Sequence, residues 1–109
     1  MAYVLFRVIR RSKPTLADFW SDFAHGDDAL AAQLKEPLRW AGISMFDDLD
    51  KAIAFGRRYV LGRAVVRIEI PDAAPVLVAQ TGHDPHHFSV MGPPARLLAL
   101  VAGDSVSIN

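Results

Sequence analysis

The sequence of 109 residues lacks cysteine, has no net charge and contains no run of 18 apolar residues. Without cysteine, the chain cannot form disulfides, thiolate zinc sites, iron–sulfur clusters or a cysteine nucleophile. The balance of 12 basic and 12 acidic residues argues against a partner held by overall charge, such as bulk nucleic acid or an anionic membrane. Because the apolar N-terminal run also lacks the polarity of a signal peptide, we expect a cytoplasmic protein without a membrane span.

The composition is typical of one globular domain. Apolar residues make up 51% of the chain and charged residues 22%, proportions that exclude a disordered tail. A chain of this length buries about 65% of the surface that its unfolded state exposes, which is enough for one core and not for two. We therefore expect residues 1–109 to fold as a single domain.

The order of the predicted elements indicates an α+β fold with an N-terminal strand, two to three helices and then a mainly antiparallel sheet. Both alternating faces of residues 3–10 are largely apolar, which predicts a strand that is buried on both sides. A first helix is predicted to begin at Pro14 and Thr15 and to end at Gly26. A second helix is predicted over residues 28–35.

The helix predictions depend on caps and apolar stripes. In the first helix Thr15 is the expected cap, and Asp18 follows it by three positions. The apolar face of this helix is expected to consist of Leu16, Phe19, Trp20 and Phe23. A third helix is expected to begin with Asp47 as its cap and to carry Arg57 and Arg58 in its last turn. The packed stripe of the third helix is expected to consist of Leu49, Ala52, Ile53 and Gly56.

The second half of the chain is predicted to be mostly sheet, because residues 63–70 alternate strictly. The side chains expected to face inward are Ala64, Val66, Ile68 and Ile70, and those expected to face outward are Arg63, Val65, Arg67 and Glu69. Residues 71–75 are expected to turn the chain so that residues 76–79 return as the next strand. The remaining predictions are a short strand over 88–91, a helix or strand over 95–102, a turn at Gly103–Asp104 and a last strand over 106–108.

Arg7 is the most informative single residue, because it lies in the middle of the first strand between Leu5 and Ile9 on the same face. A charged guanidinium in that place needs an anionic partner or a path to the edge of the sheet. One interpretation is structural: an ion pair with an aspartate, or a side chain that extends to water. The functional interpretation is an arginine that grips a phosphate or carboxylate with its bidentate fork.

The loop at residues 83–87 gathers His83, His86 and His87 with Asp84 around a proline. Imidazoles close together can bind zinc or another divalent ion. However, neighbouring side chains in an extended segment point in opposite directions, so we expect a solvated turn and no metal site. A general acid–base role for one histidine needs only a correctly placed substrate.

Two clusters of basic residues are present, one after the first strand and one around Tyr59. They consist of Arg10, Arg11 and Lys13, and of Arg57, Arg58, Arg63 and Arg67. Arginine beside an aromatic ring can hold RNA or a nucleotide by charge and stacking. Charges at the end of a helix and on a solvated strand face explain the second cluster without a ligand, and we prefer that interpretation.

Four segments together resemble a known family: FRV at 6–8, GISMFDDLDKAIAF at 42–55, VVRIEIP at 65–71 and HHFSVMGPPARLLALV at 86–101. Their order is similar to that of a group of small bacterial proteins and of a compact version of the ADP-ribosyltransferase-like fold. The resemblance implies NAD as ligand or substrate, with Arg7 as its contact on the first strand and Ser44 as the hydroxyl of the second motif. It also implies that Phe46 or Tyr59 stacks on the nicotinamide.

The same resemblance implies a catalytic glutamate on a late strand, and the segment HHFSVM has none. His87 or Ser89 is a candidate to replace it. Glu69 is a third catalytic candidate if its carboxylate points into the cleft of Arg7. His86 or His87 is expected to face that cleft, where an imidazole would hold the ribose or take a proton.

Two functions from different classes remain open. The first is an NAD- or nucleotide-binding domain with ADP-ribosyltransferase-like or NAD-glycohydrolase-like chemistry, in a toxin-related or catalytically degenerate form. The second is a non-catalytic protein-interaction module, similar to an immunity factor or antitoxin, that docks through a sheet edge or the histidine loop. If Glu69 lies on the outer surface beside Arg67, we expect no NAD turnover and favour a protein that binds without catalysis.

Overall fold

In the computed structural model, residues 2–20 and 42–108 are described. Their six strands are β1 (Tyr3–Ile9), β2 (Ile43–Phe46), β3 (Ala64–Ile70), β4 (Leu77–Gln80), β5 (His87–Met91) and β6 (Val101–Ser107). The helices are α1 (Leu49–Tyr59), α2 (Pro94–Ala99) and one 3₁₀ turn (Leu16–Phe19). The strands form one sheet in the order β4-β5-β2-β1-β3-β6, with all neighbours antiparallel. The predicted α+β class with an antiparallel sheet is confirmed.

Apolar side chains pack on both faces of this sheet. The larger core contains Leu5, Ile9, Phe19, Ile43, Met45, Ala64, Val66, Ile68, Ile70, Val90 and Leu97. The 3₁₀ turn contributes Phe19 to this core and α2 contributes Leu97. On the opposite face, α1 packs through Ala52 against Val65 and Ile108. Side chains on both faces of β1 join these cores, as its sequence predicted.

Helix α1 follows its predicted stripe closely. Ala52 and Gly56 are buried, and a Cβ on Gly56 would lie 2.6 Å from Ile108 Cδ1, so a larger residue there would have to displace the end of the Ile108 side chain. The predicted cap was wrong by one residue, because the carboxylate of Asp48 accepts the backbone N–H of Lys51. Asp47 instead binds the histidine loop, as described below.

The end of α1 has an unusual backbone. The N–H of Val60 donates to Arg57 O and the N–H of Leu61 donates to Gly56 O, which is the Schellman pattern of helix termination. Val60 occupies the left-handed position of this motif with φ 52°, where glycine is usual, and its side chain is 88% exposed. A β-branched residue is strained there.

The first predicted helix was wrong in type. Residues 16–19 form only a 3₁₀ turn, and of the expected apolar face Phe19 is buried whereas Leu16 and Trp20 are exposed. Phe23, Gly26 and the predicted helix over 28–35 lie outside the described residues. Within the described part of the chain, α1 is the one α-helix between β1 and β3, whereas two to three helices were predicted after the first strand. No helix in this part is long and apolar enough to cross a bilayer.

Three predictions about the sheet need correction. Strand β4 does not return beside β3: it pairs with β5 at the opposite edge, because β1 and β6 already occupy both sides of β3. Val65, expected to face water, is buried beneath α1. Gly103 and Asp104 lie within β6, where a bulge with Gly103 at φ 73° shifts the register against β3. Residues 95–102, for which a helix or a strand was expected, extend from α2 into the start of β6.

Candidate functional site

A gap between β1 and β2 positions the side chain of Arg7. These strands pair at one position, Phe6 with Phe46, whereas β1 and β3 pair at seven positions. In the gap, Nη1 of Arg7 donates to Ser44 O at 3.0 Å and Nε donates to Asp18 O at 2.9 Å. The guanidinium therefore links β1 to β2 and to the 3₁₀ turn through backbone carbonyls.

Arg7 adjoins a cavity of about 400 Å³, which we call the arginine cavity. Its lining consists of Arg7, Val8, Arg10, Ala17, Asp18, Trp20, Ser44, Phe46, Phe55 and Leu61. Val8 and Phe46 belong to the face covered by α1, whereas Asp18 belongs to the 3₁₀ turn on the other face. The cavity thus reaches both faces of the sheet at the point where β1 and β2 separate.

Asp18 organises the loop that borders the arginine cavity. Its side chain is buried, Oδ1 accepts the backbone N–H of Arg10 at 3.1 Å, and Oδ2 accepts the backbone N–H and the hydroxyl of Thr15 at 2.7 and 3.1 Å. All three partners are donors, so the site suits an ionised carboxylate. Asp18 therefore fixes the direction in which the chain leaves β1.

A second cavity of about 350 Å³ lies on the α1 side of the sheet, and we call it the aromatic cavity. Its lining consists of Phe46, Lys51, Ala54, Phe55, Arg58, Tyr59, Gly82, His83, Asp84 and His87. The rings of Phe46 and Phe55 are 5.0 Å apart, and those of Phe55 and Tyr59 are 4.9 Å apart. The guanidinium carbon of Arg58 lies 5.4 Å from the centre of the Tyr59 ring. Aromatic faces and a cation therefore converge on one concave surface.

Phe46 and Phe55 line both cavities, so the two cavities are neighbours on either side of this ring pair. Phe46 was predicted from the sequence, whereas Phe55 was not. The position of Phe55 one turn before Tyr59 on α1 is the signal that could have identified it. Tyr59 lines the aromatic cavity and Arg7 lines the arginine cavity, and this ring pair is part of both linings. Residues predicted from separate motifs thus share one composite cleft.

His87 and Ser89 on β5 are buried and are linked through Thr81. Nδ1 of His87 lies 3.0 Å from Thr81 O, and because a carbonyl only accepts, Nδ1 carries a proton. The Thr81 hydroxyl lies 3.1 Å from His87 Nδ1 and 2.7 Å from Ser89 Oγ. Ser89 is fully buried and pairs with Ser44 across β5 and β2. His87 lines the aromatic cavity, and the lining of neither cavity includes Ser89.

His86 has a different partner from the one expected. Its Nδ1 lies 2.7 Å from Asp47 Oδ1, and its backbone O accepts the N–H of Asp47 at 3.1 Å. Its own N–H donates to Asp84 Oδ1 at 2.9 Å. The histidine loop is therefore fastened to the β2–α1 turn, and His86 lines neither the aromatic nor the arginine cavity.

Glu69 lies away from the composite cleft. Its carboxylate is half exposed and is 3.5 Å from the guanidinium of Arg67 on the same strand. Neither cavity includes Glu69 in its lining. This is the arrangement in which we expected no NAD turnover, since no glutamate of the described chain faces Arg7.

Metal ligands do not converge in the described part of the chain, where no group of three or more histidine, aspartate or glutamate side chains could hold an ion. The candidate site instead consists of aromatic rings, arginines and one buried histidine. Comparisons of the whole sequence and structure add no relative: no family model, no curated protein and no solved structure matches the chain. The resemblance to the ADP-ribosyltransferase-like fold therefore stays a prediction.

Proposed function

We propose that the protein binds a nucleotide, with NAD as the leading candidate, across the aromatic and arginine cavities and does not cleave it. The observation that carries the proposal is the shared wall of Phe46 and Phe55, which joins an aromatic surface to an arginine-lined one. The cavities, of about 350 and 400 Å³, each lie in the size range of small-molecule sites.

The chemistry of each cavity matches a different part of a nucleotide. Tyr59 is half exposed beside Phe55, so a flat heterocycle can stack on its ring, and Arg58 adds a cation next to that surface. In the arginine cavity, the exposed guanidinium of Arg10 offers a bidentate contact to a phosphate, and Arg7 adds fixed positive charge. A ligand in which a flat ring is joined through a sugar to phosphates therefore fits the composite cleft.

Binding without cleavage follows from the positions of the catalytic candidates. Cleavage of the glycosidic bond in NAD develops positive charge on the ribose, and a carboxylate aimed at that charge is the expected source of stabilisation. Glu69 is half exposed and lies beside Arg67 on β3, and it lines neither cavity. Ser89 is fully buried, and His87 holds its Nδ1 proton against Thr81 O. None of the three candidates supplies the missing charge.

Calorimetry and thermal unfolding with NAD, ADP-ribose, ADP and nicotinamide test the proposal. A ligand at 100 times its Kd stabilises the fold by about 2.7 kcal/mol, so binding is visible as a rise in Tm. We expect Arg10→Lys to weaken nucleotide binding roughly tenfold, because lysine keeps the charge and loses the fork that contacts the phosphate. Tyr59→Ala should weaken the ligands that carry a ring and leave pyrophosphate unaffected.

Matched variants separate these effects from loss of charge or apolar surface. Arg96→Lys makes the same exchange on α2 outside both cavities, and Leu77→Ala removes an exposed apolar side chain from β4. Both should bind as the unchanged protein does. Nicotinamide released from NAD would show that the protein is a catalyst. If none of the nucleotides bound, the proposal would fail and the protein-interaction module would be the favoured function.

A further inference from the structure

Three strand ends that are remote in sequence meet at one end of the sheet. Because β1, β3 and β6 are antiparallel neighbours, the end of β1, the start of β3 and the end of β6 lie side by side. The N–H of Arg63 donates to Ile9 O at 3.0 Å, and the N–H of Ile108 donates to Arg63 O at 2.9 Å. The backbone of Arg63 is therefore fixed on both sides.

The chain after β1 is fastened to the same place. The hydroxyl of Ser105 on β6 donates to Ser12 O at 2.6 Å, and the N–H of Arg10 donates to the carboxylate of Asp18 at 3.1 Å. These two hydrogen bonds fix both ends of the short segment from Arg10 to Ser12. Arg11 therefore projects from a segment whose backbone is held by the fold.

The result is a third cavity of about 790 Å³, which we call the tri-arginine cavity. Its lining consists of Arg10, Arg11, Ser12, Arg63, Ala64, Ser105 and Ser107. Three arginines and no aspartate or glutamate are among these lining residues. From the sequence, Arg63 was expected on a solvated strand face, and Arg10 and Arg11 were expected in a separate cluster. The order of the strands in the sheet brings the three residues together.

The charge of the tri-arginine cavity is not neutralised by the described protein. Within residues 2–20 and 42–108, no aspartate or glutamate forms an ion pair with Arg10, Arg11 or Arg63. Other arginines of this part have partners, since Arg67 pairs with Glu69 and Arg57 donates to Ile108 O. Three like charges in one concavity repel each other, and an anion that enters removes this repulsion.

We propose that the tri-arginine cavity binds a small anion with two linked phosphate groups, the chemistry of pyrophosphate. The planar fork of arginine matches two oxygens of one phosphate, so three arginines exceed what a single phosphate uses well. The serine-rich wall is polar and uncharged, and it leaves the anion without a repelling neighbour. Arg10 lines both the arginine cavity and the tri-arginine cavity, whereas Arg11 and Arg63 line neither the aromatic nor the arginine cavity. Variants of Arg11 and Arg63 therefore test this inference separately from the proposed function.

Titration calorimetry of the full chain with pyrophosphate, at constant ionic strength, tests the proposal. We expect one site per chain, with binding to pyrophosphate about tenfold tighter than to inorganic phosphate. Arg63→Gln and Arg11→Gln should each weaken pyrophosphate binding roughly tenfold, because each removes one charge-assisted contact. Arg96→Gln is the matched control: it removes an exposed arginine on α2 and should change the Kd less than about twofold.

Several results would overturn this assignment. These are no pyrophosphate binding below about 10 mM, an Arg63→Gln Kd equal to that of the unchanged protein, or an equal loss in Arg96→Gln. A short DNA or RNA duplex that binds more tightly than pyrophosphate and competes with it would assign the surface to a nucleic-acid backbone instead. Tyr59→Ala should leave pyrophosphate binding intact. Failure of the pyrophosphate proposal is therefore distinguishable from failure of the nucleotide proposal. Circular dichroism and urea unfolding confirm that each variant folds.

Discussion

The two sides of strand β1 differ in how they are paired. Towards β3, β1 is paired at all seven positions, and five of the seven β3 residues on this side are buried and aliphatic. Towards β2 the pairing is reduced to one position, and the gap is bordered by an arginine, a buried aspartate and aromatic rings. The comparison indicates that the closed side supplies stability, whereas the open side leaves polar groups accessible for binding.

The largest expected effect tests the closed side. Ile68 is fully buried and pairs with Leu5 on β1 and Val101 on β6. We expect Ile68→Ala to lower the free energy of unfolding by about 3 to 4 kcal/mol, through lost burial and the cavity that remains. Urea unfolding measures this change. Val106→Ala, which truncates a half-exposed residue on β6, should cost less than about 1 kcal/mol, and equal losses would contradict the comparison.

A smaller effect tests the polar network of the open side. Asp18→Ala removes the acceptor of three hydrogen bonds and leaves the N–H groups of Arg10 and Thr15 without it. We expect a loss of about 2 kcal/mol in the free energy of unfolding, because these groups are partly buried. Asp50→Ala, an exposed aspartate in the first turn of α1, is the control and should cost less than about 0.5 kcal/mol. A loss below about 0.5 kcal/mol in Asp18→Ala would show that the network adds little stability.

The smallest expected effect is a gain in stability next to the open side. Val60 is strained in the left-handed region, which costs an L-residue about 1 to 2 kcal/mol, and glycine avoids that cost at an entropic penalty of about 0.5 to 1 kcal/mol. Val60→Gly should therefore stabilise the fold by about 0.5 to 1 kcal/mol in urea unfolding. Val60→Ala keeps the left-handed position occupied by a side chain and should gain less. A lower stability of the glycine variant would show that Val60 is held by contacts that outweigh its strain.

Local patterns in the sequence predicted the parts of the fold that depend on neighbouring residues. The alternation of β1 and the stripe of α1 appear as expected, because burial of one face imposes a fixed period on apolar residues. The cap of α1 was misplaced by one residue because three aspartates occur within four positions and each can serve. The carboxylate of Asp47 contacts His86, and the carboxylate of Asp48 caps the helix.

Features that depend on distant pairing could not be read from the sequence. Residues 71–75 look like a hairpin turn, but β3 already has β1 and β6 as partners, so β4 must pair elsewhere. Val65 is buried because α1 lies over it, and no periodicity in its own strand reveals that. Arg7, Phe46 and Tyr59, which were singled out from the sequence, line the aromatic and arginine cavities, whereas the tri-arginine cavity follows from the strand order alone.

The interleaved strand order also bears on how the chain folds. One half of the sheet contains β1, β3 and β6 and the other contains β4, β5 and β2, so each half draws on strands from separate parts of the sequence. Neither half can be excised as a continuous peptide. Closing the long loops between partners such as β1 and β3 costs chain entropy before native contacts repay it. Folding is therefore expected on a timescale of roughly milliseconds to seconds, slower than for a helical domain of this length.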